Sequence, residues 1–241
     1  MTNENMILGV TDVAVHYGGV KAVDGVSFEL RRGEIHGLIG PNGAGKSTVI
    51  DAISGRRGLT RGAVHLDGQD ITRCSVIERR RRGLARSFQR TSIFPNMSVG
   101  AQIGLAAHKV GAETPEQDAR RVMEQLDLAG VAGTAAGSLG YGQQRRLDLA
   151  LALVGRPIVL LLDEPMAGLS PQESADLAAH LLKLARDWGV SILLVEHDTD
   201  TLFGISDCVT VFELGHVIAS GRPGDVRVQP RVREAYLGSA A

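Results

Sequence analysis

The stretch Gly40-Pro41-Asn42-Gly43-Ala44-Gly45-Lys46-Ser47-Thr48 decides how the rest of the chain is read. It fits a phosphate-binding pattern of Gly, four free positions, then Gly-Lys-Ser or Gly-Lys-Thr. Gly40, Gly43 and Gly45 allow a tight turn that brings successive amide N–H groups to one anion. A helix starting near Lys46 points its positive dipole end at the same place. Lys46 is long enough to reach the outer phosphates, and the Ser47 hydroxyl is placed to ligate Mg2+. Chance alone produces such a match on the order of once in a hundred chains of this length, somewhat more often in one rich in Gly. The flanks argue against chance. Ile35, Gly37, Leu38 and Ile39 read as a short apolar strand before the loop, and Val49, Ile50, Ala52 and Ile53 follow it with helical spacing.

Working outward, residues Ile7 to Tyr17 and Val26 to Leu30 alternate as half-buried strands, with a turn at Gly18-Gly19. Tyr17 fills an edge or stacks on a base; spacing leaves both readings open. Gly62 to Gly68 and Leu84 to Phe88 read as further short strands. Glu78 followed by Arg79 to Arg82 predicts a solvated helix face, with contact to an anion or a partner as the alternative. From about residue 90 to 138 the character changes, and from Pro95 helix formers dominate, at Ala101 to Lys109 and at Pro115 to Leu126. The second of these has Thr114 as its expected N-cap. Ala129 to Gly137 reads as a loop, and Gly142 to Val154 as a helix with Arg145, Arg146 and Asp148 on its polar side. Ile158 to Leu162 and Ser191 to Val195 are apolar runs too short for helices, as in parallel strands buried on both faces. They end in Asp163-Glu164 and Glu196-His197. An amphipathic helix spans Pro171 to Trp188. Cys208 to Phe212 and His216 to Ala219 read as a terminal hairpin, and Gly224 to Leu237 as a polar helical tail.

Alternating strands and helices imply a mainly parallel sheet with helices on both faces and ligands at the carboxyl ends of the strands. The phosphate loop, Asp163-Glu164 and His197 all fall on such ends. Two carboxylates closing an apolar strand are poorly explained by structure alone, because they face desolvation without a cation to hold.

The bulk numbers set bounds. The 241 residues are 44% hydrophobic and 22% charged, an ordinary globular composition. A net charge of −1 gives no global electrostatic case for nucleic acid or acidic lipid. Cys74 and Cys208 are too few for a disulfide framework, and nothing in the sequence resembles a metal-ligand cluster. The first residues lack the basic flank and apolar run of a signal peptide. No apolar stretch approaches the length that spans a bilayer, so another polypeptide is expected to hold the chain at any membrane.

Together these residues resemble the ATP-binding subunit of an ABC transporter over nearly the whole chain. Gln89 in Ser87-Phe88-Gln89 is similar to the family's Q-loop glutamine. Leu139-Gly140-Tyr141-Gly142-Gln143 resembles the signature motif opening its helix. Leu160 to Pro165 resembles the Walker B strand with its catalytic glutamate, Ala167 to Pro171 the D-loop, and His197 the switch histidine. Tyr17 matches the aromatic that stacks on adenine. The Tyr-Gly-Gln-Gln-Arg-Arg signature and the ending Arg233-Glu234-Ala235-Tyr236-Leu237-Gly238 look most like the branched-chain amino acid uptake branch. Three positions depart from the family: Gly140 replaces the signature serine, Tyr141 the glycine after it, and Ser170 the D-loop aspartate.

The resemblance implies a P-loop NTPase core over 1–89 and 155–241, an antiparallel β edge subdomain, and an inserted α-helical subdomain over about 90–154. It implies ATP and Mg2+ as cofactors, with Ser47, Gln89 and Asp163 at the metal and Glu164, His197 and Gln89 at the chemistry. Each ATP is expected between Tyr17 with Gly40 to Thr48 of one subunit and Leu139 to Gln143 of a second, identical or different. Implied partners are separate membrane-spanning permease subunits and, indirectly, a periplasmic or extracellular solute-binding protein, at the cytoplasmic face of the membrane. A soluble or exporter-type ABC ATPase is the alternative, since these residues do not distinguish uptake from export.

Overall fold

A computed structural model describes residues 5–87 and 92–234. Its centre is a six-stranded sheet of order β10-β9-β3-β8-β7-β6. The strands are β3 (Ile35–Ile39), β6 (Leu84–Ser87), β7 (Val159–Asp163), β8 (Ser191–Val195), β9 (Cys208–Glu213) and β10 (His216–Gly221). All neighbours are parallel except the edge strand β10, which returns antiparallel on β9. A second, antiparallel sheet has the order β2-β1-β4-β5, from β1 (Met6–Tyr17), β2 (Val20–Arg31), β4 (Arg61–Leu66) and β5 (Gln69–Asp70).

Period-two alternation along the central strands divides the core in two. Leu38, Leu161, Leu193 and Phe212 face α1 (Lys46–Ser54) and the antiparallel sheet. Ile39, Leu160, Leu162, Leu194 and Val211 face the helical side. That side holds α3 (Val99–Val110), α4 (Pro115–Gln125), α5 (Tyr141–Leu153), α6 (Pro171–Asp187) and α7 (Thr199–Ile205). The remaining helices are α2 (Val76–Arg81), α8 (Pro223–Arg227) and α9 (Pro230–Val232). Helices cover one face, then, while the other is shared between one helix and a sheet. β3, β7 and β8 are buried at every position, which is why they read as continuous apolar runs.

Several local expectations need correction. The arginine run is a solvated face only in part: Glu78, Arg81 and Arg82 are exposed, but Arg79 and Arg80 turn inward. Arg79 is 2% exposed. Its guanidinium donates to the carbonyls of Ala52 (2.9 Å), Ile53 (2.6 Å), Thr72 (2.8 Å) and Cys74 (3.0 Å). It thereby closes the C-terminus of α1, where unsatisfied carbonyls and the negative dipole end attract a cation. Arg80 donates to the Val154 carbonyl. Arg145 and Asp148, expected on a polar helix face, are buried. Thr114 precedes α4, but at ψ 77° its hydroxyl caps nothing. The 129–137 loop contains two single-turn 3-10 helices, Ala129–Val131 and Ala136–Ser138. The tail is broken between α8 and α9, because Pro230 holds Gln229 extended at ψ 129°.

Candidate functional site

Because β3, β8 and β7 are adjacent and parallel, their carboxyl ends lie side by side. Leu38 pairs with Val195, and Val195 with Asp163. The turn after β3 is the phosphate loop. Gly45 sits at φ 102°, where a Cβ would lie 2.6 Å from the Ala22 carbonyl oxygen, so only glycine fits. The loop is also pinned from the β9–β10 turn, where the Gly215 amide donates to the Ala44 carbonyl (3.1 Å). Lys46 is buried and donates to the Gly40 (2.6 Å) and Pro41 (3.0 Å) carbonyls. Its ammonium therefore spans the mouth of the loop. Burial lowers the Lys46 pKa, opposed by the charges of Glu164 and Asp163.

Asp163 closes β7. The Ser47 hydroxyl donates to its Oδ1 (3.3 Å), and Arg86 Nη2 lies 3.4 Å from Oδ2. Burial raises the Asp163 pKa, while Arg86 and Ser47 work against that rise. A hydroxyl and a buried carboxylate at this spacing are hard oxygen donors suited to Mg2+.

Glu164 adopts φ 52°, a left-handed conformation that costs a non-glycine residue on the order of 1 kcal/mol or more. Its amide donates to the Val195 carbonyl (2.9 Å), and its carbonyl accepts from Arg145 Nη2 (3.1 Å). These bonds hold the turn and swing the side chain to His197, whose Nε2 lies 2.7 Å from Glu164 Oε1. Glu196 turns the other way. Its buried carboxylate accepts from the amides of Met166 (2.7 Å) and His197 (3.3 Å), so it braces the loop instead of facing the site.

Leu139 to Gln143 form the start of α5, with Gly140 as its N-cap. Tyr141 Oη donates to the Ala167 carbonyl (3.2 Å), tying this turn to the one after Glu164. A Cβ on Gly142 would collide with the Glu173 carboxylate, whereas one on Gly140 would meet open space. The position where the family has serine is therefore open. Ser170 is the N-cap of α6 in a reciprocal capping box with Glu173, so hydrogen bonding within the chain accounts for it. Tyr17 ends β1 as an exposed residue, and the Arg57 guanidinium lies 4.8 Å from its ring centroid. Gln89 lies outside the described residues.

Two buried side chains of α5 escaped the sequence reading. Arg145 fixes the Glu164 backbone. Asp148 accepts from Ser87 Oγ and the Ser92 amide (2.9 Å), the described residues on either side of 88–91. Arg145 and Asp148, three positions apart on α5, share one helix face, and that spacing was the available signal.

Comparison with known proteins decides the family. The ABC transporter family model matches residues 23–167. The high-affinity branched-chain amino acid transport ATP-binding protein BraF of Pseudomonas aeruginosa is 37% identical over 251 aligned residues, covering 97% of this chain and 98% of that protein. The chain is an ABC transporter ATP-binding subunit. It is equally similar, at 37% identity over 97% of its length and 98% of the relative's, to the high-affinity branched-chain amino acid transport ATP-binding protein LivG of Salmonella typhimurium. A model for the branched-chain amino acid ATP-binding cassette transporter matches residues 216–241. Among solved structures, the ADP conformation of an ATP-binding cassette of an ABC transporter superposes with a TM-score of 0.88 at 30% identity, covering 97% of this chain and 99% of that one. A nucleotide-free cassette gives a TM-score of 0.87, also at 30% identity, covering 97% and 100%. As a member of this family, the subunit binds nucleotide and hydrolyses ATP to power transport. Among the described residues no helix is long and apolar enough to cross a membrane.

Proposed function

We propose that this subunit powers uptake of branched-chain or related amino acids, and that Glu164 is the base of its ATPase reaction. The observation that supports the chemistry best is the Glu164–His197 pair, 2.7 Å apart beside the phosphate loop. A carboxylate so held can orient a water and accept its proton, and the imidazole can donate to developing γ-phosphate charge. Lys46 and the loop amides neutralise the phosphates, the Lys46 ammonium exchanging its carbonyl partners for phosphate oxygens. Ser47, Asp163 and Gln89 would hold Mg2+, which would supply neutralisation of phosphate charge when bound. Tyr17 would stack on the adenine.

Leu139 to Gln143 would complete the site of a second ATP-binding subunit, with the Gly140 and Gly142 amides replacing the missing serine hydroxyl. Residues about 90–154 would carry closure to separate permease subunits at the cytoplasmic face of the membrane, supplied by an external solute-binding protein. The names of the relatives and the match over 216–241 support the amino acid assignment.

Glu164→Gln tests the chemistry. Binding of Mg-ATP should survive while turnover falls by about 100-fold or more. Turnover within twofold of the parent would remove Glu164 from the role.

A further inference from the structure

We propose that Glu34, His36 and Cys208 form a binding site for a thiophilic divalent cation of the Zn2+ class, between the two sheets at the end of β3 away from the phosphate loop. Cys208 lies far from Glu34 and His36 in sequence, and no familiar metal-binding spacing connects the three. Strand pairing brings them together: His36 on β3 pairs with Cys208 on β9, and Glu34 precedes His36 by two residues on the same face. One ligand atom from each lies within 4.8 Å of the other two. His36 Nδ1 and Glu34 Oε1 are 3.5 Å apart. Donors around a tetrahedral ion bound at ~2.0–2.3 Å stand roughly 3.3–3.6 Å from one another, so small side-chain adjustments close the site.

The surroundings orient the donors. His36 is 1% exposed, and its Nε2 is 2.8 Å from Thr210 Oγ1, which in turn lies 2.7 Å from Ser220 Oγ. With Nε2 engaged, Nδ1 faces the cluster, where the Glu34 Oε1 contact at 3.5 Å is an ion pair and not a well-formed hydrogen bond. Burial opposes charge on this ring, but Cys208 and Glu34 outweigh it and raise the His36 pKa to about 9, so a metal ion must displace that proton to bind. Glu34 is clamped likewise. Its Oε2 accepts from the Arg31 amide (2.9 Å), leaving Oε1 toward His36. Such outer contacts fix the tautomer and aim of metal ligands.

Thiolate, imidazole and carboxylate suit Zn2+, and three protein ligands leave a fourth position for water. The cluster borders a cleft of about 610 Å3, which provides entry. Arg31, Arg186 and Arg222 also line that cleft. Zn2+ with one thiolate and one carboxylate is formally neutral, so these cations do not oppose it as they would an excess positive charge. A bound ion would staple β3 to β9 and stabilise the core by mass action.

The test uses the full chain, reduced, stripped with chelator and free of nucleotide. Co2+ should bind at one ion per chain and show thiolate-to-cobalt charge-transfer absorption, displaced by Zn2+. Cys208→Ser should remove that absorption and Cys74→Ser should keep it. Thr210→Val, which removes an outer contact, should weaken binding by about 10- to 100-fold. In the unmodified chain Zn2+ should protect Cys208, and not Cys74, from a thiol reagent mapped by mass spectrometry; this arm needs no variant to fold. Absence of the charge-transfer band, its survival in Cys208→Ser, or equal labelling of Cys208 with and without Zn2+ would overturn the site and leave a metal-free imidazole–carboxylate pair.

Discussion

Replacing Arg79 with Met keeps an apolar stem and removes the guanidinium. Four carbonyls then lose their donor: Ala52, Ile53, Thr72 and Cys74. Hydrogen bonds to a charged donor contribute about 1.5–3 kcal/mol each, which would sum to roughly 6–12 kcal/mol. That sum overshoots. Burial lowers the Arg79 pKa, and a buried charge carries a desolvation penalty of roughly several kcal/mol that the variant no longer has. Ala52 retains the Gly55 amide as a second donor. The net expectation is a loss of about 3–5 kcal/mol. For a chain of this size that lowers the Tm by on the order of 10 °C. Arg81→Met, on the exposed side of α2, should stay within about 0.5 kcal/mol. Thermal and denaturant unfolding without nucleotide read both. If Arg79→Met melts within about 2 °C of the parent, or Arg81→Met costs as much, the buried cap on α1 is misread.

Three further expectations are open to experiment. Burial raises the Glu196 pKa above its ordinary value of 4.5, against the Met166 and His197 amides, so the folded state holds a proton that the unfolded state has released. Stability contributed by this group is therefore present below pH 4.5 and lost as pH rises through the folded pKa. Relative to Glu196→Gln, the parent should weaken across that window, and a flat or opposite difference in denaturation midpoint would contradict it. Ser170→Ala should cost about 1 kcal/mol through loss of the α6 cap, with Ser170→Thr restoring most of it; an unchanged midpoint in Ser170→Ala would refute the cap. Gly142→Asp would drive its side chain into the Glu173 carboxylate of its own chain. A loss of stability alongside activity is expected, and unchanged unfolding would contradict that packing.

How much could be read in advance depended on the range of the interaction responsible. β3, β7 and β8 are buried on both faces, so their local composition announced them, and the phosphate loop followed from backbone requirements confined to nine residues, Gly40 to Thr48. Glu164 and His197 were placed by the strand-end rule, but the left-handed turn that brings them together was not visible. Long-range partners were hidden. Nothing local distinguishes buried Arg79 from exposed Arg81, because the difference lies in the carbonyls of α1, some 26 residues away. Arg145 and Asp148 were misjudged for the same reason: their partners are on other elements. Thr114 had the right residue type for a cap, and its backbone angle overrode it. The Glu34–His36–Cys208 cluster depends on β3 lying beside β9, a neighbour relation that periodicity does not encode.

The central claim, that this chain builds an ATPase site shared between two ATP-binding subunits, is tested most directly by Mg-ATP hydrolysis across a wide range of protein concentration. Specific activity should climb with concentration and saturate, with Gly140 and Ser170 supporting a competent pair. Activity per chain that is constant from the most dilute solution upward, with no dimer present, would contradict a shared site.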